Sequence, residues 1–66
     1  MIVVINGERS EVPEGLTVAG LIEHLGMPLE RVALERNFDI LPRTRWKETQ
    51  VESNDRFEIV HFVGGG

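Results

Sequence analysis

Only one stretch of this chain repeats its apolar residues at helical spacing, and that stretch has a single apolar face. Val18, Leu21, Ile22 and Leu25 recur three and four residues apart. Thr17 precedes them as an N-cap whose hydroxyl can accept from a free amide of the first turn. Gly26 caps the far end, and Pro28 forbids continuation. A lone one-faced helix must bury that face against another layer. With 66 residues there is room for one core and no second domain. The remaining residues must therefore supply a sheet.

They read as strands. Ile2 to Ile5 is β-branched throughout and ends at Asn6-Gly7, the preferred two-residue hairpin turn because both positions accept positive φ. A second strand runs from Glu8 to Val12 and stops at Pro13-Glu14-Gly15. After the helix, Arg31 to Arg36 alternates, with Val32 and Leu34 on one side and Ala33 and Glu35 on the other. Asn37-Phe38-Asp39 is a turn, and Ile40-Leu41 a very short strand stopped by Pro42. Thr44 to Gln50 is a helical turn or an irregular loop with Trp46 tucked inward. Asn54-Asp55 is a further turn, and Glu52 and Asp55 beside it read as solvated. Arg56 to Val63 is the last strand. The order is β, β, α, β, short β, β. It predicts an α+β fold of the β-grasp type, a mixed sheet of four to five strands around one helix, with the first and last strands adjacent. Residues 1–63 form the domain and residues 64–66 a flexible glycine tail. The expected core is Val3, Ile5, Val12, Val18, Leu21, Ile22, Leu25, Val32, Leu34, Ile40, Trp46, Val51, Phe57 and Ile59.

Composition removes several kinds of chemistry. The chain has no cysteine, so it has neither a disulfide framework nor a thiolate metal site. Its opening apolar run is far too short for a signal peptide or a membrane span. Both facts point to a cytoplasmic setting without a membrane partner. The net charge of −4 disfavours nucleic acid. That charge either keeps the chain soluble or suits docking on a basic groove of another protein. His24 and His61 lack a third ligand, so no metal site is expected. The scattered carboxylates form no acid–base dyad, and no catalytic residue is assigned.

The end of the chain is the unusual feature. Phe62-Val63 leads directly into Gly64-Gly65-Gly66. One reading is an inert, frayed terminus. The other is a tail thin enough to thread a narrow channel in another protein through Gly64 and Gly65. Three extended residues reach about 10 Å. A terminal carboxylate is ionised and unreactive at neutral pH. It needs activation, most directly as an acyl adenylate made from ATP, from which a sulfur nucleophile can displace AMP. Without cysteine, any sulfur this chain carries sits on the carboxylate of Gly66. Period-two alternation places Phe57 and Ile59 toward the helix and Val60 and Phe62 on the opposite face. Ile2 and Val4 join that face if Val3 and Ile5 point inward. The four apolar residues are either a partner-docking patch or a consequence of β-propensity.

Over its whole length the sequence resembles the ThiS family, small sulfur carriers of thiamine biosynthesis with a ubiquitin-like fold. The resemblance is carried by Asn6-Gly7, Pro13-Glu14-Gly15-Leu16-Thr17-Val18-Ala19-Gly20-Leu21, Val32-Ala33-Leu34-Glu35, the Pro42-Arg43 pair, and Asn54 through Gly66. One departure is Phe38 after Asn37, where the family often has glycine. The resemblance implies a carrier with no active site and no bound cofactor. An E1-like adenylating enzyme activates Gly66 with ATP and magnesium, and a cysteine desulfurase ultimately supplies sulfur. The resulting thiocarboxylate delivers it to thiazole synthase. The rivals are the small subunit of molybdopterin synthase, a tRNA-thiolation carrier, and an interaction module with an inert tail.

Overall fold

The structure is a computed structural model and describes residues 1–62. Its elements are β1 (Ile2–Ile5), β2 (Glu8–Glu11), α1 (Val18–His24), β3 (Val32–Arg36), β4 (Asp39–Ile40) and β5 (Arg56–His61). Short 3-10 turns at Leu29–Arg31 and Arg43–Arg45 complete it. The five strands form one mixed sheet in the order β2-β1-β5-β3-β4, so the first and last strands are neighbours at its centre. That pair is parallel, and the other pairs are antiparallel. The helix covers one face, which is the β-grasp arrangement.

Each local feature has a cause in the sequence. Asn6 and Gly7 both take positive φ, 50° and 84°, and turn β1 into β2. The ladder continues past β2, because Val12 N–H donates to the Met1 carbonyl at 2.9 Å and the terminal amine of Met1 donates to the Val12 carbonyl at 2.8 Å. The first helical amides all find acceptors. Gly20 N–H donates to Thr17 Oγ1 at 3.1 Å, Val18 N–H to the Thr49 carbonyl and Ala19 N–H to the Trp46 carbonyl. The 46–51 loop is thereby tied to the helix entrance. Gly26 at φ 76° turns the chain out of the helix.

Between helix and sheet lie Val3, Val12, Val18, Ala19, Leu21, Ile22, Val32, Leu34, Trp46, Val51, Phe57 and Ile59, all buried. Ile5 and Leu25 are half-buried against them, and Leu41 joins them there. Trp46 is 2% exposed and donates from Nε1 to the Leu41 carbonyl at 2.9 Å. Its indole face lies under the Arg43 guanidinium, 5.3 Å away. Arg43 also donates to the carbonyls of Leu29 and Val32 at 2.9 and 2.7 Å. One side chain thus fastens the Pro42 corner to the start of β3.

Four expectations are corrected. Ile40 is not core: it is 80% exposed. Asn37 and Phe38 form a two-residue turn at φ 51° and 73°, pairing Arg36 with Asp39 and Glu35 with Ile40. Paired residues share a face, so Ile40 follows Glu35 to the side away from the helix. The same turn moves the short strand to Asp39–Ile40. Asp55 is not solvated but 6% exposed, in a network with Arg36 and Asn37. The last strand is assigned only to His61, although Phe62 N–H still donates to the Arg31 carbonyl at 2.7 Å.

Candidate functional site

The sheet face opposite the helix carries every docking residue read from the sequence. On β1 these are Ile2 and Val4, alternating with buried Val3. On β5 the outward residues are Arg56, Glu58 and Val60, alternating with buried Phe57 and Ile59. Phe62 follows, 53% exposed. The alternation is therefore in the expected phase.

The register separates the four residues, however. Val4 lies level with Arg56, and Ile5 with Phe57. Val60 is four residues beyond Arg56, about 13 Å along the strand. Arg56 and Glu58 intervene. Ile2 and Val4 sit instead beside Glu11 and Arg9 of β2, their pairing partners, and are half-buried. Val60 has other neighbours: it pairs with Ala33 and lines a shallow groove with Ala33, Glu35, Ile40 and Glu58. The sequence reading set Ala33 beside Glu35 on the outer side of its strand but did not join it to the docking residues, and it placed Ile40 in the core. The signal was available: a two-residue turn at Asn37-Phe38 places residue 40 opposite residue 35.

Beyond Ile5, β1 turns away, and β5 would lose its partner on that side. The Asn6 side chain replaces it. Ile59 N–H donates to Asn6 Oδ1 at 2.7 Å, and Asn6 Nδ2 donates to the Ile59 carbonyl at 3.3 Å. On the other side Phe62 is bonded to Arg31. The end of β5 is thus held by Asn6 at Ile59 and by the Arg31 carbonyl at Phe62, the last described residue. The sulfur-carrying assignment to Gly66, the threading role of Gly64 and Gly65, and the domain boundary at residue 63 lie outside the described residues.

Among the described residues no three His, Cys, Asp or Glu side chains come together as a metal site. No helix there is long and apolar enough to cross a membrane. The five-stranded mixed sheet, single crossing helix and central parallel pair define a β-grasp domain whose last central strand leads straight into a glycine run. The ThiS family model matches residues 3–66, and the chain belongs to the ThiS family. Its fold matches the crystal structure of a thiamine biosynthesis protein (ThiS) from Geobacter metallireducens, with a TM-score of 0.84, 35% identity and both chains fully covered. It is 38% identical over 50 residues to the sulfur carrier protein ThiS of Bacillus subtilis, covering 76% of each chain. It is also 41% identical over 66 residues to a thiazole synthase of Paramagnetospirillum magneticum, covering all of this chain and 20% of that protein. The chain therefore spans about a fifth of the length of that relative.

Proposed function

We propose that this chain is a sulfur carrier of thiamine biosynthesis, a co-substrate of other enzymes, with the Gly66 carboxylate as its working group. The observation that carries the reading is a family match running through residue 66, so that it includes the glycine run. The chemistry follows from the functional group. An E1-like adenylating enzyme joins the carboxylate to the α-phosphoryl group of ATP, with magnesium, and pyrophosphate leaves. A persulfide sulfur, supplied ultimately by a cysteine desulfurase, displaces AMP to form an acyl disulfide, and a second thiol cleaves its S–S bond, leaving a thiocarboxylate and a disulfide on the donor side. Thiazole synthase then accepts the sulfur. Likeness to one fifth of a thiazole synthase supports that acceptor.

The folded body makes the unreactive part of the complex. Asn6 holds β5 at Ile59 and the Arg31 carbonyl holds the chain at Phe62, and residues 63–66 are the span assigned to enter a partner. Glycines add no side chain to that span, and the ordering entropy they lose on entry is offset by contacts of the sheet face. The cytoplasm suits a chain with no cysteine to oxidise.

Intact-mass spectrometry tests the reading. Incubation with the adenylating enzyme, ATP, magnesium and a sulfur source is expected to add the mass difference between sulfur and oxygen at the C-terminus. Deleting Gly66, or appending one alanine after it, is expected to abolish the gain without unfolding the domain. Loading of either variant, or a functional polypeptide that continues past residue 66 untrimmed, overturns it.

A further inference from the structure

Glu35 and Glu58 face each other directly across β3 and β5, on the solvent side of the sheet. They form a hydrogen-bonded antiparallel pair: the neighbouring bonds, Asn37 N–H to the Arg56 carbonyl and Phe62 N–H to the Arg31 carbonyl, fix the phase. Their Cα atoms are then about 5.5 Å apart. Like charges directly opposite one another destabilise a sheet. Neither carboxylate takes part in an ion pair among the described residues. Arg56 shares their face, but its guanidinium is stacked over the Phe38 ring at 5.1 Å.

On two sides of this pair the surface is apolar. Ile40 flanks Glu35 on one side, and Val60 with Ala33 forms the next row. All three are exposed. A folded chain that leaves two opposed carboxylates amid exposed aliphatic side chains carries two unfavourable features at one place. Both are relieved by the same occupant.

We infer that this groove receives an arginine or lysine of a partner protein, its cation bridging Glu35 and Glu58 and an adjacent apolar side chain covering Ile40 and Val60. Charge complementarity selects that occupant. A second copy packed about a two-fold axis brings the same carboxylates against each other. Nucleic acid presents phosphates to them. A purely aliphatic partner buries two uncompensated charges. The groove lies next to the exit of β5, so the cation sits on the partner surface beside the entrance that takes residues 63–66. The choice of partner proteins rests on the carrier reading, whereas the chemistry of the groove does not.

The test separates stability from binding. Glu58→Lys converts the repulsive pair into a cross-strand ion pair with Glu35. It is expected to raise the melting temperature by about 2–5 °C. Titration calorimetry against the adenylating enzyme and against thiazole synthase is expected to show binding weakened at least about tenfold for one or both. Glu35→Gln is expected to weaken the same interaction less and to flatten its salt dependence. Unchanged affinity of Glu58→Lys for both enzymes overturns the inference. So does a wild-type chain that sediments as a dimer which Glu58→Lys dissociates. Failure of the wild-type chain to acquire sulfur bears on the carrier role alone, because the affinity ratios remain readable without loading.

Discussion

Asp55 accepts four hydrogen bonds. The donors are Arg36 Nε and Nη2 at 3.0 and 2.9 Å, Asn37 Nδ2 at 3.1 Å and the backbone N–H of Glu52 at 2.8 Å. The carboxylate joins the turn before β5 to the end of β3. Removing it leaves a half-buried guanidinium without its partner and strands the remaining donors. Asp55→Ala is therefore expected to cost about 3 kcal/mol. A domain of this length holds only about 0.05–0.15 kcal/mol per residue, so that loss is a large share of the whole. The expected result is a urea midpoint lower by more than about 1 M, followed by Trp46 fluorescence. An unmoved midpoint denies Asp55 its structural weight. The turn itself was legible, since Asn54 takes φ 71° as Asn in a turn readily does. The network was not, because Arg36 and Asn37 come from 19 and 18 residues upstream and no local pattern announces that meeting.

At the scale of elements, what could be read locally was read well. The helix carries its own start, stop and periodicity in Thr17, Gly26 and the Val18-Leu21-Ile22 face, and it forms where those signals lie. β1 and its turn are equally self-contained. β4 is not: two residues have no period, and their face is set by the register that Asn37 and Phe38 impose. Phe38 occupies positive φ with a bulky side chain, a conformation that glycine or asparagine holds more cheaply. The seam between β1 and β5 depends on a different device. Asn6 turns the chain and also extends the ladder with its carboxamide. Asn6→Gly keeps the backbone conformation and removes only the carboxamide. It is expected to cost about 1 kcal/mol and to speed hydrogen exchange at the Ile59 amide more than at Leu34. Equal protection of Ile59 in both proteins denies the carboxamide that role.

Across the whole molecule, the sheet divides labour between its faces and between its ends. The inner face holds the helix. The outer face is apolar at two places that the register keeps apart, Ile2 and Val4 beside β2, and Val60 with Ala33, Ile40 and Phe62 near the end of β5. Alternation alone named the face correctly, but the register across a parallel pair of strands whose partners are 52 residues apart in sequence, as Val4 and Arg56 are, decides which residues meet. On the proposed carrier function, the partner grips the body closest to where the chain leaves it. That role falls to Phe62 and Val60, whereas Val4 lies about 13 Å back from Val60 along the sheet. Phe62→Asp puts a charge into that contact and is expected to weaken binding to the adenylating enzyme by about tenfold or more. Val4→Asp is expected to change the same affinity less than about threefold. Both substitutions are at outer-face positions, so unfolding by denaturant reports whether either acts through the fold instead. Equal losses from the two, with stability unchanged, place the partner across the full width of the sheet; loss at Val4 alone moves the grip to the far end, and the end of β5 then has no part in docking.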